Sequence, residues 1–192
     1  MKLGKLLEIR WHGRAGQGAK TAALVLAESV ISAGKYAQAF PEYGPERMGA
    51  PMQAFDRISD EPILVHCNVQ NPEIVVVLDE SLISVLDVKA GVPENGVYIV
   101  NTEASPKVMR EKLGLVGGKV FTVNATKISM EFLGKNIPNT PMIAALIKVT
   151  GMLDFNDVVE DTKHKLSKKF RDEVVQSNIS AMEQAYKEVA SE

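Results

Sequence analysis

Residues 6–33 read LLEIRWHGRAGQGAKTAALVLAESVISA, and this stretch decides the fold. Residues 6–11 form an apolar-rich run of strand length, and residues 13–18 bring three glycines. Residues 19–33 then place Ala23, Leu26, Ala27, Val30 and Ile31 on one stripe at three-to-four spacing, the period of an amphipathic helix that Gly34 can end. A strand, a glycine turn and a helix open an α/β domain. Further on, the apolar runs 74–78 (IVVVL), 97–100 and 120–123 stop at Asp79, Asn101 and Asn124. Continuous β-branched runs of this kind suit central strands covered on both faces, with polar residues gathered at one carboxyl edge.

Helices are expected at 81–88, 106–113, 126–132 and 141–150, the last behind Thr140 as N-cap. A short strand is expected at 36–40, and a hairpin from 52–58 and 63–65. Residues 152–192 hold neither glycine nor proline and read as one long final helix, with Phe170, Val174, Ala181, Met182 and Ala185 on one face. The expected architecture is a three-layer α/β/α domain with a largely parallel central sheet and a C-terminal helical segment, as one unit over residues 1–192.

Composition narrows the function. A chain of 192 residues with 45% hydrophobic and 24% charged residues is globular, not disordered. A net charge of −2 argues against a general nucleic-acid surface. No apolar run nears the ~18 residues of a membrane span. The single cysteine, Cys67, cannot form an internal disulfide or supply a four-cysteine cluster, and a cytoplasmic location fits best. His66 and Cys67 read as an inert, partly buried pair at a strand end. No nucleophile–base arrangement, carboxylate pair or metal-ligand spacing stands out, so no catalytic or metal-ligating residue is assigned.

The glycine turn carries the clearest chemistry. Arg10, His12, Arg14 and Lys20 fall within eleven residues that contain no acid. Glycines there admit positive φ and close backbone approach, and the helix behind them aims unpaired N–H groups at the same point. Gly13, Arg14, Gly16, Gln17 and Gly18 are therefore the candidate contacts for an anionic cofactor, with a plain strand-to-helix turn as the alternative. Gly13, Gly16 and Gly18 give G-x-x-G-x-G, the reverse of the dinucleotide order, and Ala19 spoils the Walker pattern.

A second stretch, residues 40–51 (FPEYGPERMGAP), puts three prolines and two glycines among its last eleven residues, which excludes a regular helix. Phe40, Pro41, Tyr43, Gly44, Pro45, Glu46, Arg47 and Met48 supply apolar, aromatic and charged groups on a stiff frame. Such a set suits a contact surface for another subunit or a ligand, or else a packed surface loop.

Taken in order, residues 13–18 (GRAGQG) and 40–51 resemble the paired signature of the gamma subunits of 2-oxoacid:ferredoxin oxidoreductases, of which pyruvate synthase is a member. The resemblance runs on through 74–79 and through Asn136, Ile137, Pro138 and Asn139. It implies a three-layer α/β/α fold and a subunit inactive alone, in a complex that converts a 2-oxoacid and coenzyme A to an acyl-CoA while reducing ferredoxin. Thiamine diphosphate and iron–sulfur clusters would then lie on alpha, beta and delta partner subunits. The 13–18 loop with Arg14 would contact the phosphates of coenzyme A, and residues 41–51 would face the partners. A free-standing nucleotide- or CoA-binding module, or a subunit of an enzyme for another 2-oxoacid such as 2-oxoisovalerate, stays open at this point.

Overall fold

The computed structural model describes residues 6–42 and 49–192. The chain begins with strand β1 (Leu7–Arg14), helix α1 (Ala19–Ser32), and strands β2 (Tyr36–Glu42), β3 (Pro51–Ser59) and β4 (Ile74–Val77). A short 3-10 turn (Glu80–Ser84) leads to β5 (Val97–Asn101), α2 (Pro106–Leu113), β6 (Lys119–Val123) and α3 (Ala125–Leu133). Helices α4 (Asn139–Thr150), α5 (Phe155–Ser167) and α6 (Asp172–Glu188) follow, with the two-residue strand β7 (Ala190–Ser191) at the end. The sheet order is β2-β3-β1-β4-β5-β6-β7. β1, β4, β5 and β6 pair in parallel, while β3 runs antiparallel to both β1 and β2, and β7 antiparallel to β6. Five of the seven strands therefore point the same way.

Alternation along the strands builds two cores. Ile9, Trp11, Ile74, Val76 and Ile99 face α1, α4 and α6, where Leu26, Ile143, Leu146 and Met182 are buried. Val75, Val77, Tyr98, Val100 and Val120 face the other way, onto Val88 and onto Met109 and Leu113 of α2. All four residues of β4 are buried, because both of its faces are covered. The three-layer arrangement is the one expected from the sequence.

Boundaries follow local chemistry. Ser105 caps α2, with Pro106 in its first turn and Gly114 at φ 62° beyond its last. Asn124 accepts from Lys127 N and starts α3, and Asp154 accepts from Asn156 N and Asp157 N and starts α5.

Several expectations are corrected. Residues 63–65 are not a strand: β3 already pairs with β2 and β1, so no edge is left for them. Arg57 instead binds the carbonyl oxygens of Val65 and Cys67. The hairpin is β2–β3. The expected helix at 81–88 is only the 3-10 turn, held by the Ser81 and Ser84 hydroxyls. The long final helix is two, broken at 168–171, where Arg171 turns extended and Asp172 and Glu173 open a new first turn. Phe170 and Val174 are consequently exposed instead of buried. α4 begins at Asn139, so Thr140 lies inside the helix and contacts Asn178 across to α6. Cys67 and its neighbour His66 are exposed, not partly buried.

Candidate functional site at the carboxyl edge

β1 lies where the connections diverge: α1 leads to β2 and β3 on one side of it, while β4, β5 and β6 follow on the other. In an α/β sheet, ligands bind in the crevice outside the carboxyl ends of the strands at such a point. The residues flagged from sequence converge there, between the ends of β1 and β4.

Gly13 and Arg14 belong to β1, paired in register with Met52 and Pro51, instead of opening the loop. A Cβ on Gly13 would lie 3.2 Å from the Ala19 Cβ, which explains the glycine by close strand–helix packing. Gly16 (φ 102°) and Gly18 (φ 84°) hold the left-handed conformations of the turn. Gly18 is the N-cap of α1 and, as a glycine, makes no side-chain cap to the first turn of that helix. Asn139, at the start of α4, packs against Gly18 so tightly that a Cβ there would fall 2.8 Å from its amide nitrogen.

Side chains from two segments, with a backbone carbonyl from a third, tie this edge together. Gln17 accepts from Arg14 N at 2.8 Å and donates to Asp79 Oδ2 at 2.7 Å. The Arg14 guanidinium donates to Ser81 Oγ from Nη2 at 2.8 Å and to the Gly49 carbonyl at 3.0 Å, and its Nε lies 3.3 Å from Asp79 Oδ2. Ser81 donates to Asp79 Oδ1 through both its backbone N–H and its hydroxyl. Burial alone would raise the Asp79 carboxyl, but the bonds from Ser81 and Gln17 and the charge of Arg14 outweigh it and hold the group below the usual range. Arg14 is thus an oriented, partly neutralised cation with about a third of its side chain exposed.

The second flagged stretch meets the first here. Ala15 N donates to the Ala50 carbonyl at 2.9 Å, and Gly49 N to the Ala15 carbonyl at 3.3 Å. Phe40 and Pro41 lie within β2, not in a loop. Phe40 stacks on Phe55 with centroids 5.5 Å apart, and Pro41 pairs in register with Ala54 on the edge strand, where a missing N–H is tolerated. Tyr43, Gly44, Pro45, Glu46, Arg47 and Met48 lie outside the described residues.

Next along the same edge, a polar hollow of about 480 Å³ is lined by Glu80, Asn101, Thr102, Asn124 and Thr126 among others. Asn101 donates to the Leu78 carbonyl and to Thr126 Oγ1, fixing the end of β5 against α3. Glu80 is held by Thr102 and Lys112. Below the crevice, His12 is buried with neither ring nitrogen bonded among the described residues, and burial, aided by the neighbouring Arg10 charge, lowers its pKa to about 3. It is a neutral imidazole.

Sequence reading missed Ser81 and Asn139 as parts of this edge. The Asp79-x-Ser81 spacing, typical of a side-chain-closed turn, was the signal for the first. No local signal marks a helix-start asparagine as the neighbour of a glycine 121 positions earlier. Among the described residues no group of three His, Cys, Asp or Glu side chains is placed to hold a metal ion.

Fold and edge together define a class: an α/β protein with an anion-competent glycine turn at the switch point of its sheet. The family follows from comparison with known proteins. The model of the pyruvate ferredoxin/flavodoxin oxidoreductase family matches residues 8–188, and the chain belongs to that family as a gamma-type subunit. It is 49% identical to pyruvate synthase subunit PorC of Thermotoga maritima over 96% of this chain and 95% of that one. It is 45% identical to the common gamma subunit of the pyruvate/ketoisovalerate oxidoreductases of Thermococcus kodakarensis, over 94% and 96%. The crystal structure of pyruvate oxidoreductase subunit PORC from Thermotoga maritima superposes with a TM-score of 0.85 at 46% identity, covering 97% of this chain and 98% of that one. At 18% identity, where only the fold is comparable, 94% of this chain matches 30% of a 2-oxoglutarate:ferredoxin oxidoreductase chain from Magnetococcus marinus with a TM-score of 0.77. That structure was solved with 2-oxoglutarate, coenzyme A and succinyl-CoA bound.

Proposed function

We propose that this chain supplies phosphate contacts for coenzyme A in a pyruvate:ferredoxin oxidoreductase, within a cytoplasmic complex that oxidatively decarboxylates pyruvate to acetyl-CoA and passes the electrons to ferredoxin. The observation that carries this reading is the joining of the two flagged stretches at Ala15, Gly49 and Ala50, beside an N–H-bearing helix start and an oriented guanidinium. Coenzyme A carries a pyrophosphate and a 3′-phosphate, which a loop of backbone amides and a forked Arg recognise through charge-assisted bonds. Gly16, whose side-chain direction meets nothing within 4 Å among the described residues, leaves room on that side for a phosphate to approach the backbone.

The redox chemistry belongs to partners. One cysteine supplies one thiolate where a cluster needs four ligands, and that cysteine is exposed on the 60–73 connection. Thiamine diphosphate and the iron–sulfur clusters are assigned to alpha, beta and delta subunits, and this chain's part is to hold the thiol carrier and to assemble with them. The substrate is pyruvate on this reading. Relatives that serve as a common subunit of pyruvate and ketoisovalerate oxidoreductases favour a second reading, in which oxoacid choice lies wholly outside this chain and it serves more than one such enzyme.

The test is Arg14→Gln in the assembled complex. The apparent KM for coenzyme A rises about tenfold, the scale of a lost charged hydrogen bond, while the KM for pyruvate stays put. An unchanged KM for coenzyme A removes Arg14 from the site.

A further inference from the structure

At the far end of α1 from the glycine turn, a cavity of about 330 Å³ separates its last turn from the start of α5. Ser29 and Ser32 line it from α1, and Asp154, Asp157, Glu160 and Asp161 from α5. Three features of this notch call for a positive charge that the described residues do not supply.

The first is the helix end itself. α1 terminates here with its partial negative charge and has no basic residue in its last turn. The next cation along the chain, Lys35, is committed to Asp60 at 2.8 Å. The second is the carboxylates. Asp154 is explained as the N-cap of α5, and Asp157 suits that helix's first turn. Glu160 and Asp161 lie beyond that turn and gain nothing from it. Glu160 reaches only Lys163 at 3.7 Å, in an exposed pair, and Asp161 makes no ion pair among the described residues.

The third is Ser29. It is 2% exposed, lines the notch, and its hydroxyl has no hydrogen-bond partner among the described residues. A helical serine ordinarily bonds the carbonyl four residues back. Here that carbonyl, Val25 O, receives the Lys165 ammonium at 3.2 Å. The buried Oγ is left without a partner in the wall of a notch that four carboxylate-bearing residues also line.

The carboxylates do not converge: no trio among the described residues could share a metal ion. An ammonium or guanidinium on a flexible stem matches such dispersed acceptors better than a compact ion. We infer that this notch is a docking site for a lysine or arginine side chain of a partner subunit. A family whose members work as subunits provides the partner, and α1's fourteen residues put the notch on the order of 20 Å from the glycine turn. Docking there is therefore separable from coenzyme A contact.

Two variants of this subunit, Ser32→Lys and the pair Asp157→Lys with Asp161→Lys, are assembled into the complete complex and followed by size-exclusion chromatography and native mass spectrometry through a salt series. Ser32→Lys supplies the notch with its own ammonium, which suits the α1 terminus and leaves the fold sound, yet it excludes the partner's side chain. Both variants are expected to hold the subunit about tenfold more weakly than the unmodified complex, with the KM for coenzyme A unchanged at low salt. Should the double reversal not yield soluble protein, Ser32→Lys decides alone. Retention of the Ser32→Lys subunit to the same salt concentration as the unmodified one overturns the inference. Spermidine, added to the unmodified complex, supports the inference if it releases the subunit. If it raises the melting temperature while the subunit stays bound, the notch is a small-molecule cation site and the partner assignment falls.

Discussion

Gly16 and Gly18 both take positive φ in the same turn, but for different physical reasons. Gly16 meets no neighbour within 4 Å among the described residues, so against them Gly16→Ala meets only backbone strain, about 1 kcal/mol. Gly18→Ala adds a collision with Asn139, whose Nδ2, Cβ and Cγ all lie within 3.0 Å of the new methyl. Asn139 is buried at the start of α4 and cannot swing away without exposing that helix end. Thermal unfolding should therefore separate the two, with Gly18→Ala the more damaging by at least about 1–2 kcal/mol. Equal losses would mean that α4 yields more easily than its packing implies. The pattern of three glycines was readable in the sequence, and so was an anion-competent turn. The commitment of Arg14 to Asp79, Ser81 and the Gly49 carbonyl was not, because each partner comes from another segment and only the folded sheet brings them to one edge.

Legibility at the element scale tracks how local the cause is. β4, β5, α2 and α3 are fixed by contiguous apolar runs and by caps within three residues of the helix start, and they fall where the periodicity places them. The 60–73 connection is the counterexample. Ile63, Leu64 and Val65 have strand composition, yet their environment is set by Arg57, which is 1% exposed in the middle of β3. Its guanidinium pairs with Glu8 at 2.8 Å, donates to the Cys67 carbonyl at 2.6 Å and lies 5.4 Å from the Phe40 ring centroid. The connection is thus held by its carbonyls while Leu64 stays 82% exposed. Replacing Arg57 by Met keeps much of the volume but orphans Glu8 and two carbonyls. It should cost roughly 2–4 kcal/mol. Limited proteolysis should then cut within residues 61–72 well before the rest of the chain, and resistance equal to the parent would show that Arg57 does not anchor the connection. The break between α5 and α6 was equally illegible, since no glycine or proline marks it and the new helix is started by the acids at 172 and 173.

Across the molecule, two buried titratable groups on neighbouring strands pull stability in opposite directions with pH. His12 has a folded pKa of about 3 against an ordinary 6.5, so the unfolded chain binds the extra proton between those values. Its contribution is complete above pH 6.5 and drains away as pH falls, by about 2 kcal/mol from pH 7 to pH 5. Asp56 behaves in the reverse sense. It is fully buried against Trp11, whose Nε1 donates to Oδ2 at 2.6 Å, and burial pushes its carboxyl well above 3.8 despite that bond. Above pH 3.8 the unfolded chain releases a proton that the folded chain keeps, so stability falls with rising pH until the folded carboxyl ionises. The two effects oppose each other from pH 3.8 upward until the folded carboxyl ionises or the unfolded histidine loses its proton near 6.5. Asparagine at this position imitates the protonated carboxyl and still accepts from Trp11. The Asp56→Asn variant should match the parent closely near pH 4. Its advantage in urea unfolding should then grow by about 1.4 kcal/mol per pH unit for as long as the folded carboxyl stays protonated, because the His12 contribution cancels in the comparison. A pH-independent difference between the two proteins would mean that Asp56 is ionised in the fold, with its charge met by a group other than the Trp11 N–H.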